Sequence, residues 1–262
     1  MVGNEYHKQF IKELDCISNA YSSVDVFTDV CRAMYLALLK PTLIDRKRAD
    51  EVEREYMLFV EKYGKENWRH AAQCMAITAD ALQERRECFL GHILEEIGAS
   101  NQRNGQFLTP ISVANMCADI TMDGDLMKDY KPGKVISIYD NAGGAGVMLI
   151  AGAEALLKRG VRQSDIMVVH GDIDSRACSI AYVQFTLLGY PGVVCHQNGL
   201  TLQEYEKPAY TIGFYLHCLP MRGYLHGWTT SRVSTMKSEA KKEEAPIEIN
   251  VGQKLQQGDL FA

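Results

Sequence analysis

No stretch of this chain reaches the roughly 18 consecutive apolar residues that a membrane-spanning helix needs, so no membrane span is expected. C-x-x-C pairs are missing too. The eight cysteines, at positions 16, 31, 74, 88, 117, 178, 195 and 218, are scattered along 262 residues. They read as reduced, mostly buried thiols rather than as a disulfide or zinc framework. Seven dispersed histidines add no metal-ligand pattern, and no metal is expected. A basic surplus is absent, the formal net charge being -5. That argues against a free-standing nucleic-acid binder, although local patches or a partner subunit can supply phosphate contacts. The first twenty residues, "MVGNEYHKQFIKELDCISNA", carry charges throughout and lack the apolar centre of a signal peptide, so a cytoplasmic location is expected.

What is present falls into two textures. Hydrophobic residues make up 47% of the chain, enough for a core of ordinary size. Residues 5 to 96 read as helix throughout. "SVDVFTDVCRAMYLALLK" repeats apolar residues at three- and four-residue steps and stops at Pro41. "RADEVEREYMLFVEKYG" is a charged amphipathic helix ending at Gly64, and its run of alternating charges is a solvated face. "NWRHAAQCMAITADALQERRECFLGHILEEIG" supplies one or two more helices. After "GQFLTP", with Pro110 suited to a first helical turn, the texture changes. "KVISIY", "DIMVVHG" and "GVVCH" are short β-rich runs separated by the helical stretches "GVMLIAGAEALLKRG" and "SRACSIAYVQFTLLG", the pattern of a parallel sheet with crossover helices. "AYTIGFYLHCL" is expected as a fourth strand.

Ligands of such sheets bind beyond the carboxyl ends of the strands. There the chain reads Asp140-Asn141-Ala142-Gly143-Gly144-Ala145-Gly146 and then a helix, offering glycines for close backbone approach and free N–H groups for an anion. A nicotinamide site wants G-x-G-x-x-G, and Leu149 stands where the third glycine belongs. A carboxylate just before the glycines suits the cationic amino acid end of S-adenosylmethionine. On the loop alone a plain strand-to-helix turn remains open. Asp172, at the end of the second β-run, can accept hydrogen bonds from both ribose hydroxyls of a nucleoside, and Asp174 can cap the following helix.

"GQFLTP", "DNAGGAG" and "GDID" together resemble the modification subunits of type I restriction–modification systems and related adenine-N6 DNA methyltransferases. That family runs roughly G-Q-F-[FY]-T-P, then D-x-A-C-G-[ST]-G, then G-x-[DE]-[IL], then an Asn-Pro-Pro-aromatic loop. The resemblance covers about residues 85 to 202, including "ECFLGHILEEIG", which is similar to the helix preceding the first element in the family. It implies an α/β fold, a helical N-terminal region (1–98) followed by a Rossmann-like S-adenosylmethionine-dependent methyltransferase domain (99–230); the polar composition of residues 231–262 reads as a flexible tail, which leaves too few residues for the full sheet, so an incomplete one is expected. It further implies that Gly105, Phe107, Thr109 and Pro110 line the amino acid end of the cofactor. Asp140, Ala142, Gly144 and Gly146 would form its loop, Asp172 would hold its ribose, and Asn198 would stand near its adenine. The implied activity is transfer of a methyl group to adenine N6 in DNA, with a specificity subunit as partner. Gly143 departs from the family, which usually has cysteine there.

The Asn-Pro-Pro-aromatic loop, which orients the target amine, is not found. Residues 215–221 read "YLHCLPM", in which His217 is a candidate acceptor and Tyr215 or Tyr224 a candidate stacking ring. Cys218 does not fit a cytosine-C5 nucleophile, because that chemistry expects Pro-Cys and the order here is Cys-Leu-Pro. A catalytically inactive relative that binds cofactor, DNA or a partner protein is the alternative. Gln257, Leu260 and Phe261 near the C-terminus resemble the Gln-x-x-Leu-Phe peptide by which bacterial replication proteins bind the sliding clamp.

Overall fold

Helix α1 (Gly3–Ile17) precedes α2 (Ser23–Leu39), whose two ends are set locally. Ser22 Oγ accepts the Asp25 N–H at 3.2 Å, and Pro41 follows two residues past the last helical position. Asp45 caps α3 (Arg46–Tyr63), and Gly64, at φ 80°, ends it and leads into α4 (Lys65–Glu84). Helix α5 (Phe89–Gly98) completes the helical region. The computed structural model describes residues 3–18, 20–98 and 109–218. Gly105, Phe107, Tyr224, Gln257, Leu260, Phe261 and the polar tail therefore lie outside the described residues.

Past Pro110 come α6 (Ile111–Thr121) and the short α7 (Asp125–Lys128). The α/β unit then runs β1 (Ile136–Asp140), α8 (Val147–Lys158), β2 (Ile166–Asp172), α9 (Ser175–Leu187) and β3 (Gly192–His196). The three strands are parallel, with Ile138 opposite Val168 and Val168 opposite Gly192. Ile136 and Ile138 are buried, with Ile138 facing α8, while Ser137 and Tyr139 are exposed, the alternation of a strand covered on one face. No described strand pairs with the outer edge of β1, so the strand order is simply β1-β2-β3-β4.

The expected fourth strand differs. Only β4 (Ala209–Tyr210) pairs, antiparallel to β3, and Ile212–Cys218 is helix α10. Thr211 causes the change. Its hydroxyl donates to Tyr190 O (2.7 Å) and accepts the N–H groups of Gly192 (3.0 Å) and Phe214 (3.2 Å), ending the ladder and starting a helical turn. Gly213 lies against the Tyr190 carbonyl, with a Cβ position only 2.7 Å from it, where no side chain fits. Tyr210 and Phe214, four residues apart, meet with tilted rings at 4.7 Å, a helix-period contact inside a run that also alternates.

Helical region and sheet share one hydrophobic core. Tyr35 of α2 meets Tyr182 of α9 edge to face at 4.9 Å. Arg86 crosses from the helical region to Glu154 (2.7 Å) and to the carbonyl of Leu188 (3.2 Å), and Tyr190 donates its hydroxyl to the same Glu154. The entry to β2 is held by Asp165, which accepts from Tyr130 Oη (2.8 Å), Gly133 N (2.8 Å) and Arg162 Nε (2.9 Å). Burial pushes this carboxyl up, but the Gly133 N–H, Arg162 and Tyr130 together outweigh it and hold it below the usual carboxylate range. A depressed pKa stabilises the fold fully above the unfolded value near about 3.9, and the contribution is lost as pH falls through the lower folded value. Asp165→Asn is therefore expected to cost about 2 kcal/mol at pH 7 and to lose much of that penalty at acid pH. Urea melts of both proteins at pH 7 and pH 3 check this, and an equal penalty at the two pH values would count against it.

Candidate functional site

The loop between β1 and α8 sits at the carboxyl end of β1, beside the end of β2. Gly143 N donates to Gly171 O at 3.0 Å, and Gly146 N turns back to Gly143 O at 2.8 Å. Two glycines are required by conformation. Gly144 has φ 52° and Gly146 has φ 90°, both in the left-handed region. Gly146 also touches Phe185, whose ring lies 2.8 Å from where a Cβ would stand. By contrast, nothing lies within 4 Å of the Cβ position of Gly144, so the loop is open there.

Asp140 accepts the Ala142 N–H on Oδ1 at 3.1 Å, and its other oxygen has no partner among the described residues. Asp172 is buried and receives one N–H on each oxygen, Gly144 N on Oδ2 and Asp174 N on Oδ1, both at 2.8 Å. Each carboxylate oxygen keeps a second lone pair. Asp174 caps α9 by accepting from Arg176 N. Asn198 lies on the same rim, because the Gly199 carbonyl accepts from Asn141 Nδ2. Its Oδ1 holds a turn, accepting Leu200 N (2.9 Å) and Thr201 N (3.1 Å), which leaves the side-chain NH2 without a partner among the described residues. Ile173 and Leu200, 59% and 93% exposed, are apolar side chains on this otherwise polar rim.

Thr109 and Pro110 are exposed at the entry to α6, which packs along α8 and is tied to its end by Arg159, donating to Asp119 O at 2.9 Å. Tyr215 and His217 lie elsewhere. They are on α10, and β4 runs antiparallel to β3, so α10 departs from the amino end of β3 while the glycine loop stands at the carboxyl ends. Tyr215 packs its ring on Tyr210 and Phe214.

Residues that periodicity does not single out support the loop from inside. His170 is fully buried and its Nε2–H donates to Gly144 O at 2.9 Å; its Nδ1 has no partner among the described residues. Burial pushes the imidazole down, only partly opposed by the Gly144 carbonyl and by Asp172 and Asp140, so the ring is neutral. Gln184, also fully buried, donates to Ala145 O at 2.9 Å. Gln197 donates to Asn141 Oδ1 at 3.2 Å. A polar residue inside an apolar run, as in "IMVVHGD" and "AYVQFTLLG", is the only local sign of such roles. Nearby thiols are not nucleophiles: burial pushes Cys88 up to about 11 and Cys195 up to about 12. Among the described residues no group of three His, Cys, Asp or Glu side chains is arranged to hold a metal, and no helix is long and apolar enough to cross a membrane.

The N-6 DNA methylase family model matches residues 78–209, half of the chain. The match begins in α4, takes in the glycine loop and Asp172, and ends in β4 before Tyr215 and His217. No curated protein matches the chain. Among solved structures, one described as a class I S-adenosylmethionine-dependent methyltransferase from Listeria monocytogenes is similar, with 19% identity and a TM-score of 0.43 over 75% of this chain and 55% of that one. The chain thus spans little more than half the length of that protein.

Proposed function

Because the chain belongs to the N-6 DNA methylase family, we propose that it binds S-adenosylmethionine at the glycine loop and serves methyl transfer to N6 of adenine in DNA. The observation that carries this reading is the set of unused acceptors on one rim. Asp140 has one oxygen without a partner among the described residues, nothing lies within 4 Å of the Gly144 Cβ position, and Asp172 keeps a lone pair on each oxygen. These groups match the cofactor chemically. Asp140 would meet its ammonium, Asp172 its two ribose hydroxyls, and the NH2 of Asn198 its adenine ring, with Ile173 and Leu200 as apolar walls. Gly146, Ala142 and the exposed pair Thr109 and Pro110 would complete the amino acid end, together with Gly105 and Phe107.

When bound, S-adenosylmethionine supplies a methyl group on positively charged sulfur. The target amine is a weak nucleophile, because its lone pair is delocalised into the ring, and the base must leave the duplex to reach it. No described residue is assigned to hold that amine. A second reading is a relative that binds cofactor, DNA or a partner protein without transferring a methyl group. Its specific support is the departure of α10, with Tyr215 and His217, from the end of the sheet opposite the loop. Partnership with a specificity subunit, and with the sliding clamp through Gln257, Leu260 and Phe261, belongs to this proposal as well.

The deciding experiment has two arms. Calorimetry with S-adenosylmethionine is expected to show one site per chain. Transfer of label from methyl-labelled S-adenosylmethionine to unmethylated DNA, alone and with cell extract, then separates the readings. Label in adenine supports the enzyme. Binding without label in either condition supports the non-catalytic reading, and no binding sinks both cofactor readings.

A further inference from the structure

Two buried side chains hydrogen-bond to the carbonyls of the glycine loop. Gly144 O accepts from His170 Nε2 at 2.9 Å, and the next carbonyl, Ala145 O, accepts from Gln184 Nε2 at 2.9 Å. Both side chains are fully buried. Gln184 is also fixed at its other end, because its Oε1 accepts the Leu90 N–H at 3.0 Å. That N–H belongs to the first turn of α5, where it has no intrahelical acceptor. Gly91 lets α5 come this close: a Cβ there would lie 2.5 Å from Cys88 Sγ and 3.2 Å from Ala145 Cβ. The contact therefore runs from the helical region through one amide to the loop.

We propose that His170 and Gln184 are positioning residues that brace the glycine loop, holding the open face of Gly144 and the free oxygen of Asp140 ready for ligand. The proposal rests on the reading of this loop as the S-adenosylmethionine site. Its physical reason is entropic. A segment with three glycines in six residues loses much conformational freedom when ordered, and a loop ordered before binding spares the ligand that cost. Carbonyls 144 and 145 are well suited as handles, because bonds to them leave the upper side of the loop clear.

The test uses the full chain and two readouts. Amide hydrogen exchange over residues 141–149 without ligand reads the brace itself, and calorimetric affinity for S-adenosylhomocysteine reads its consequence. His170→Leu and Gln184→Met, which fill the space without donating, are each expected to speed loop exchange about tenfold while α2 exchanges as before. Each should weaken S-adenosylhomocysteine about tenfold. His170→Gln, whose amide can donate to the same carbonyl, is expected to stay within about threefold of the unaltered chain in both readouts. If one apolar variant does not fold, the other together with His170→Gln still decides. Unchanged loop exchange in a folded apolar variant overturns the brace. Faster loop exchange in a chain that never binds S-adenosylhomocysteine leaves the brace standing and removes the cofactor reading. Unchanged exchange in a chain that binds does the reverse.

Discussion

Gly143→Cys is expected to destabilise the protein by about 2 kcal/mol, and to cost much less when introduced into a His170→Gly background. A Cβ on Gly143 would stand 2.4 Å from His170 Cδ2 and 2.7 Å from its Nε2, well inside contact distance. The imidazole cannot swing clear. It is fully buried, bonded to Gly144 O, and set edge-on to Phe185 at 6.0 Å. The backbone must therefore move, and with it the bond from Gly143 N to Gly171 O. A double-mutant cycle by urea melts measures this. Additive effects of the two substitutions would show that they do not share the space, and a coupling of about 1 kcal/mol or more is expected.

Asp172→Ala should have the larger effect on binding, weakening S-adenosylmethionine by at least about a hundredfold. The carboxylate does two things at once. It accepts Gly144 N and Asp174 N, tying the glycine loop to the end of β2, and its remaining lone pairs are the proposed ribose acceptors. Removing it strands two backbone N–H groups, at a cost of about 1–3 kcal/mol each where water cannot replace the acceptor. Asp172→Asn separates the roles. One oxygen can still take one N–H, but an NH2 group then faces the other donor. Stability should fall by less than in Asp172→Ala, while affinity should stay weak because one ribose hydroxyl loses its acceptor. Chemical denaturation and calorimetry on both variants check the two effects. Wild-type affinity in Asp172→Asn would remove Asp172 from the ribose contact.

Much of the frame was readable from local pattern. Helix α2 stops short of Pro41 as expected, Gly64 ends α3, and the runs at 136–140, 166–172 and 192–196 are the parallel strands. These succeeded because caps, breakers and β-rich runs act within a few residues of where they stand. The run "AYTIGFYLHCL" misled for the same reason. Its apolar residues satisfy both a period of two and a spacing of four, and local pattern cannot arbitrate between them. Thr211, through contacts with Tyr190 and Gly192 about twenty residues earlier, decided for the helix.

The order of strands and helices from β1 to β3, the glycine loop at the end of β1 and the acid at the end of β2 are legible in the chain alone, because each is written in contiguous residues. Long-range packing is what ties Asp172 to the loop, fits His170 into the space above Gly143 and joins α5 to the loop through Gln184. The same packing sends Tyr215 and His217 off from the far end of the sheet. Each of these is a contact between residues distant in the chain, made specific by burial and by one satisfied hydrogen bond, and periodicity carries no trace of either.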